Sequence, residues 1–197
     1  GKIGCVILAA GSSTRFRNPK QLAIYRNRTF IENIIYTILG IGFSERIIVL
    51  GSSIAEILPI IQKFKVTILQ NENWQNGQSE SVKIAADYCS QKNIEALVFL
   101  TVDQPQITRE MINNAINEYA FHKSVTLIHT YKGQIRHPVI FSKETFESLK
   151  LIEGDKGGRQ LFEKFPPYTI EFNDAFQAID VDTPEDLLKL NKMIMDD

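Results

Sequence analysis

The stretch IGCVILAAGSSTRFRNPKQL, residues 3–22, carries the strongest fold signal in this chain of 197 residues. It opens with a continuous run of apolar and small residues, which is typical of a strand buried on both faces of a parallel sheet. Gly11 and three hydroxyl residues follow, and Arg15, Arg17 and Lys20 come next. Ligands of open α/β sheets bind at the loops that follow the carboxyl ends of the strands. The stretch therefore predicts a first strand that leads into a cationic, ligand-binding loop.

The rest of the chain alternates short apolar runs with longer stretches of helical spacing, which is the pattern of βαβ units. A capping box at Ser53 and Glu56 and a cap at Thr183 followed by Pro184 mark two helix starts. The pattern predicts one doubly wound, mainly parallel α/β domain over residues 1–197, Rossmann-like, with helices on both faces and an irregular lobe near 130–175. Further strands are predicted over residues 46–52, 65–71, 95–103, 125–131 and 138–141, and helices over 29–40, 79–89, 108–121 and 183–194.

Composition narrows the class of protein. The net charge is −1, which disfavours a general nucleic-acid binder because such proteins carry a strong basic excess. Only two cysteines are present, so a disulfide scaffold is disfavoured and a reducing cytoplasm is expected. No apolar run approaches the roughly 18 residues of a membrane span, and no membrane association is predicted.

The opening loop has the chemistry of an anion site. Gly11 allows close backbone approach, successive backbone N–H groups form a concave anion site, and Arg15 and Lys20 supply positive charge. The stretch matches neither G-x-x-x-x-G-K-[ST] nor G-x-G-x-x-G, which disfavours a Walker-type NTPase and a dinucleotide-binding enzyme. A solvated basic turn is the competing interpretation.

The same residues resemble the signature L-A-A-G-x-S-x-R-x-G-x-x-K of MobA-like nucleotidyltransferases with a GT-A-like α/β fold, and most closely the molybdenum cofactor cytidylyltransferase branch. The family's second loop glycine is Arg17 in this chain. Further blocks follow in the family's order: NGQSESV (76–82), TVDQPQIT (101–108), HPVIF (137–141), GDKGGRQLF (154–162) and DVDTPEDL (180–187).

The resemblance implies transfer of CMP from CTP to a phosphorylated acceptor, with release of pyrophosphate and with Mg²⁺ as cofactor. The expected acceptor is molybdopterin or the molybdenum cofactor, with a molybdenum hydroxylase or dehydrogenase apoprotein as a further partner. Ala10 favours CTP, because guanylyltransferases of this fold tend to have glycine there. The enzymatic alternative is a nucleotidyltransferase for methylerythritol phosphate or a sugar 1-phosphate. A non-catalytic cofactor chaperone, motivated by Arg17, is the alternative from another class.

The expected site residues follow from the matching blocks. Asp103 is a predicted metal ligand, with an Asx turn or a cap for the helix near Thr108 as its competing role. Of Asp180 and Asp182, which face the same side if extended, Asp182 is the predicted second ligand because it matches the family's position; its competing role is to cap the helix at Thr183. Lys156 and Arg159 lie in a second glycine-containing loop, here called the second glycine loop (154–162), and solvation at the surface is the competing interpretation for both. For His137 the competing interpretation is a structural role. The nucleotide part is expected mainly within 1–108 and the acceptor part within 109–182. The predicted catalytic residues are Arg15, Lys20 and Asp103. The predicted nucleotide-binding residues are Leu8, Ala9, Ala10, Gly11, Ser12, Ser13, Arg15, Lys20, Gly77, Ser79 and Ser81, and the predicted acceptor-binding residues are His137, Asp155, Lys156 and Arg159.

Overall fold

The computed structural model of this protein describes residues 1–12, 15–16 and 18–195. Within these residues the strands are β1 (Ile3–Ala9), β2 (Ile24–Tyr25), β3 (Arg28–Thr29), β4 (Glu45–Leu50), β5 (Thr67–Gln70), β6 (Ala96–Thr101), β7 (Thr126–Tyr131), β8 (Gln134–Ser142) and β9 (Tyr168–Glu171). The helices are α1 (Phe30–Leu39), α2 (Ile54–Ile61), α3 (Gln78–Ser90), α4 (Arg109–His122), α5 (Phe146–Leu149), α6 (Ala175–Ala178) and α7 (Pro184–Met195).

The central sheet has seven strands in the order β5-β4-β1-β6-β8-β7-β9. Strands β5, β4, β1 and β6 are mutually parallel, and β9 is parallel to β7. Strand β8 runs antiparallel to both of its neighbours. The predicted fold class, a mainly parallel α/β sheet with helices, is confirmed, and this one sheet contains strands from both halves of the chain.

Strand β1 lies at the centre because its side chains are apolar on both faces. Cys5, Ile7 and Ala9 join one buried cluster, together with α1, α2 and α4 side chains. Val6 and Leu8 join the other cluster, together with α3 and α5 side chains. This alternation is the two-residue period of a strand that is covered on both faces.

Three predicted helix starts can be compared with the structure. Thr29 and Glu32 form a capping box at α1, and the Thr183 hydroxyl caps α7 by accepting a hydrogen bond from the Asp186 N–H at 3.1 Å. The predicted capping box at Ser53 is wrong, because the Ser53 side chain makes no capping hydrogen bond. A residue pair with the right spacing does not form the box unless the N-cap backbone is extended, and Ser53 has φ −119° and ψ 30°.

The predicted irregular lobe contains more regular structure than expected. Strand β8 begins at Gln134, four residues before the predicted start, and pairs with β7 through a tight turn at Lys132 and Gly133. Both turn residues have positive φ, as a two-residue hairpin turn requires. Since β8 is antiparallel to β6, its first residues lie at the sheet edge where β1 and β6 end.

Two predictions from composition concern the environment of the chain. Cys5 and Cys89 are both buried and free, so neither is part of a disulfide. Among the helices of the described residues, none combines the length and the apolar character needed to cross a bilayer.

Candidate active site

A buried glutamine holds the loop that follows β1 against the end of that strand by hydrogen bonds. Gln21 lies in a 3-10 turn over Lys20–Leu22, and its side-chain amide donates to the carbonyl of Ala9 at 2.9 Å and to that of Gly11 at 3.3 Å. These bonds satisfy two carbonyl groups at the end of a central strand. They also place the neighbouring Lys20 at the carboxyl edge of the sheet.

Lys20 connects the loop to two distant carboxylates. Its Nζ lies 2.7 Å from Oδ1 of Asp103, at the end of β6, and 3.1 Å from Oδ1 of Asp182, just before α7. The Lys20 side chain is only 14% exposed. The three residues predicted separately as a catalytic cation and two metal ligands therefore meet at one point.

The electrostatics of this cluster reflect its partial burial. Burial acts to lower the pKa of Lys20, but the carboxylates of Asp103 and Asp182 outweigh it and raise the pKa above its ordinary value. Burial and the nearby Asp182 charge raise the pKa of Asp103, and Lys20 opposes them. The cluster thus holds a permanent ammonium between two acidic groups.

The competing structural roles of the two aspartates are not observed. The N-cap of α4 is Thr108, whose hydroxyl accepts from the Met111 N–H at 3.2 Å, and not Asp103. The N–H of Asp182 donates to the Asp186 carboxylate, while its own carboxylate faces Lys20. Both carboxylates are therefore directed at Lys20, and neither caps a helix.

Asp103 and Asp182 suit a divalent cation that also binds phosphate oxygens. Both carboxylates already face one cationic group, the Lys20 ammonium. No group of three or more His, Cys, Asp or Glu side chains within the described residues is arranged to hold a metal. Mg²⁺ characteristically uses one or two carboxylates together with substrate phosphates and waters. The donor set fits such an ion better than a metal enclosed entirely by protein.

A first cavity of about 300 Å³, here called the loop cavity, opens beside the end of β1. Its wall includes the loop residues Gly11 and Ser12, and Ser81 closes it from α3. Ser81 accepts a hydrogen bond at 2.9 Å from the buried Asn71 side chain, which fixes the hydroxyl. The complete lining is Leu8, Ala10, Gly11, Ser12, Asn71, Trp74, Gln75, Gly77, Gln78, Ser81 and Asp155.

Gly77, at the start of α3, has φ +102°, a conformation that favours glycine. A Cβ at this position would collide with the backbone of Gly154 and the carboxylate of Asp155. The absence of a side chain lets the second glycine loop lie against α3. Asp155, predicted to contact the acceptor, consequently lines the loop cavity.

Ser79 lies two residues after Gly77, in the first turn of α3. It is fully buried, its N–H donates to the Gly154 carbonyl at 3.1 Å, and its hydroxyl accepts from Gln160 at 3.2 Å. These two hydrogen bonds of Ser79 therefore join α3 to the second glycine loop. Its predicted contact with a nucleotide stays a prediction.

A second cavity of about 300 Å³, here called the hairpin cavity, shares Leu8 and Gln78 with the first. It brings together His137, Lys156 and Arg159, all predicted to contact the acceptor. Burial, together with the nearby His129 and arginines, lowers the pKa of His137 to about 4, so its imidazole is neutral near pH 7. The complete lining is Leu8, Gln78, Val82, Phe99, Thr101, Asp103, Gln134, Ile135, Arg136, His137, Val139, Phe141, Lys156, Gly158, Arg159, Phe162 and Asp180.

Arg136 was missed as a site residue, and Asp180 was considered as a metal ligand but set aside in favour of Asp182. The Arg136 Nε donates to the Ala178 carbonyl at 2.7 Å and lies 3.6 Å from Oδ2 of Asp180. Burial raises the pKa of Asp180 to about 7, and Asp103 and Asp182 add to this while Arg136 opposes it. The position of Arg136 next to His137, a predicted site residue, was the available signal for Arg136. Its partner Asp180 is distant in sequence, so the pair could not be predicted.

Several predicted nucleotide ligands have a different or limited placement. The Ala9 side chain packs in the core, while its carbonyl accepts from Gln21. Arg15 is exposed, and its contact with a triphosphate stays a prediction. Ser13 and Arg17 lie outside the described residues.

The arrangement of a cationic loop, two convergent aspartates and two adjoining cavities at the carboxyl edge of an α/β sheet suits phosphate-group chemistry on two substrates. A family model described as the MobA-like NTP transferase domain matches residues 5–169, and the chain belongs to that family. The protein is accordingly a nucleotidyltransferase of the MobA-like class.

Relatives in this family have differing names. The chain is 25% identical to the molybdenum cofactor cytidylyltransferase of Escherichia coli, over 94% of both chains. It is 27% identical to a probable molybdenum cofactor guanylyltransferase of Flavobacterium johnsoniae, again over 94% of both. It is also 27% identical, over 94% of both chains, to nicotine blue oxidoreductase of Paenarthrobacter nicotinovorans.

Solved structures agree with the fold. The crystal structure of Rv0371c from Mycobacterium tuberculosis is 25% identical and superposes with a TM-score of 0.85, covering 98% of this chain and 99% of that chain. A complex of the same protein with manganese superposes with a TM-score of 0.81 at the same identity and coverage.

Proposed function

We propose that this protein transfers CMP from CTP to the terminal phosphate of a molybdopterin-type acceptor, with Mg²⁺ as cofactor and pyrophosphate as the second product. The observation that carries the proposal is the Lys20 ammonium, 2.7 Å from Asp103 and 3.1 Å from Asp182. This cluster joins the cationic loop to the predicted metal ligands, and Asp103 itself lines the hairpin cavity. Two substrates in the two cavities would meet at this point.

The reaction needs positioning and charge neutralisation more than acid–base chemistry. An oxygen of the acceptor phosphate attacks the α-phosphorus of CTP, the bond from that phosphorus to the bridging oxygen breaks, and pyrophosphate leaves with the electron pair. The attacking phosphate is already ionised near pH 7, so no general base is required. Lys20 and Arg15 hold and neutralise the triphosphate, and this fixes the α-phosphorus in line with the acceptor.

Asp103 and Asp182 would hold the divalent cation. When bound, such an ion neutralises charge that develops on phosphate oxygens. The complex of Rv0371c with manganese supports the binding of a divalent metal by a similar protein. The choice of Mg²⁺ rests on the oxygen donors of this chain.

The choice of CTP rests on the floor of the loop cavity. Ala10 is buried there, and a Cβ built on Gly51 would come within 2.8 Å of the Ala10 Cβ, so the methyl group lies close to Gly51. The methyl therefore takes up space at a tightly packed point. A pyrimidine needs less room than a purine at this position.

The acceptor site is assigned to the hairpin cavity. Arg136, Lys156 and Arg159 give it positive charge, and His137 presents a neutral ring. Cationic side chains suit a phosphorylated acceptor. The cytidylyltransferase name of the E. coli relative supports molybdopterin as that acceptor.

Pyrophosphate release tests the proposal. The purified protein is incubated with Mg²⁺, molybdenum cofactor and CTP, GTP or ATP, and the same set is repeated with Asp103→Asn. We expect release with CTP above GTP and ATP, and none with Asp103→Asn. Turnover only with methylerythritol phosphate or a sugar 1-phosphate would reassign the acceptor. Cofactor binding without turnover would favour the chaperone.

A further inference from the structure

The segment that carries Asp182 is held in place by hydrogen bonds with Asp103 and with Gln106, three residues further along. The N–H of Val181 donates to the carbonyl of Asp103 at 2.7 Å. Two residues earlier, the carbonyl of Ile179 accepts from the Gln106 side-chain amide at 2.8 Å. Asp182 comes directly after this doubly held stretch, so its position relative to Asp103 depends on both bonds.

Gln106 makes this contact at an energetic disadvantage. Its side chain is buried, and its Oε1 has no hydrogen-bond partner among the described residues. A buried amide oxygen without a hydrogen bond destabilises the folded state, and an apolar side chain of similar size would avoid that cost. Stability alone therefore gives a weak reason for an amide here. The bond from its Nε2 to Ile179 gives a better one.

Gln104 offers a comparison within the same segment. It is also buried, and its amide makes two hydrogen bonds with the backbone of His137, donating at 3.0 Å and accepting at 3.1 Å. Those bonds hold β8 on the acceptor side and do not reach the Asp182 segment. The two glutamines thus fix different parts of the site.

We propose that Gln106 is a positioning residue for the metal centre, which holds the Ile179–Asp182 segment so that the Asp182 carboxylate faces the same cation as Asp103. This inference rests on the proposed function, since it takes both aspartates as metal ligands. Residues that orient metal ligands typically change metal affinity by about 10–100-fold when they are replaced. Gln106 is accordingly expected to act on metal affinity more than on global stability.

The test measures Mn²⁺ affinity by electron paramagnetic resonance of free Mn²⁺, with CTP present and no acceptor. Gln106→Met is expected to weaken Mn²⁺ binding about 10-fold or more. Gln104→Met, which leaves two backbone groups without partners and costs at least as much stability, is expected to stay within about twofold. Gln106→Glu keeps the length of the side chain but, when ionised, cannot donate to Ile179; it should behave as Gln106→Met does.

A double-mutant cycle separates positioning from general destabilisation. If Gln106 acts through Asp182, Gln106→Met should weaken Mn²⁺ binding far less in an Asp182→Asn background than in the unaltered chain. Additive effects, or equal losses in the Gln104 and Gln106 variants, would overturn the inference. Unchanged Mn²⁺ affinity in Gln106→Met would overturn this inference and leave the proposed metal centre standing. Failure of the unaltered protein to bind Mn²⁺ with CTP would overturn the proposed metal centre as well.

Discussion

The Lys20 ammonium lies 2.7 Å from the Asp103 carboxylate, although the two residues belong to different loops of the sheet edge. Asp182 completes the contact at 3.1 Å from a third segment. Charge-assisted hydrogen bonds of this kind are among the stronger polar contacts when they are partly shielded from water. One side chain thereby connects the loop that follows β1 to both predicted metal ligands.

Removing this ammonium should affect turnover strongly. We expect Lys20→Met to lower kcat/KM by a factor on the order of 10²–10³, because charge on the triphosphate loses a fixed counter-charge. Steady-state pyrophosphate release measures it. Lys63→Met is the control, since Lys63 is exposed and its contacts are a long ion pair with Glu32, at 3.7 Å, and a cation–π contact with Phe64. A loss below fivefold in Lys20→Met would argue against a catalytic role.

Gly77 should be intolerant of even a methyl group. Gly77→Ala forces a residue with a side chain into φ +102° and drives its Cβ into Gly154 and Asp155. We expect a loss of about 1–3 kcal/mol in the free energy of unfolding and weaker CTP binding. Urea unfolding and calorimetric titration measure the two effects. Gly42→Ala, where the added Cβ meets nothing within 4 Å, should be nearly neutral; equal effects would refute the close approach.

Ala10 should control the choice of nucleotide base. Ala10→Gly removes the methyl group from the floor of the loop cavity, so we expect the ratio of CTP to GTP turnover to fall. Parallel kcat/KM values for the two nucleotides measure this. The glycine also costs roughly 0.5–1 kcal/mol of stability, which lowers both activities alike and leaves their ratio unaffected. A constant ratio would remove Ala10 from the specificity argument.

His129 should make the protein less stable in acid. It is buried, its Nδ1 donates to the Pro138 carbonyl at 2.7 Å, and burial lowers its pKa to about 4. The unfolded chain, with a histidine pKa near 6.5, takes up the proton first. The stability from neutral His129 is therefore complete above about pH 6.5 and is lost as the pH falls towards 4, on the order of 3 kcal/mol in total.

Urea unfolding at several pH values tests this prediction. His129→Asn retains a donor for Pro138 but does not titrate, so its stability should decline less between pH 7 and 4.5. His137, whose pKa burial also lowers to about 4, contributes a decline of the same sign, while Asp180, whose pKa burial raises to about 7, contributes an opposite change; both contributions are common to the variant and the unaltered protein. Identical pH slopes for the variant and the unaltered protein would contradict the assignment.

The sequence predicted what local pattern determines and missed what distant pairing determines. The apolar run of β1 and the polar cap at Thr183 were readable because their causes lie within a few residues. Strand β8 was predicted too short at its start, since Gln134, Arg136 and His137 are polar and break the apolar pattern there.

The site was predicted in its parts more than in its assembly. Lys20, Asp103 and Asp182 were each proposed from motif blocks, but spacing could not show that one ammonium contacts both carboxylates. Gln106 gave no signal, because a glutamine in a loop is ordinarily solvated. Its relevance depends on a carbonyl 73 residues away.

Strand β8 enters the sheet against the direction of β6, so its opening residues, and not its last ones, reach the ligand edge. The turn at Lys132 and Gly133 that precedes them is exposed, and it is separate from β1 and from the loop that follows β1. Exchanging this hairpin between homologues would remodel one wall of the cleft and leave the other untouched. Chimeric proteins can therefore vary this wall of the hairpin cavity while the loop that follows β1 keeps its sequence.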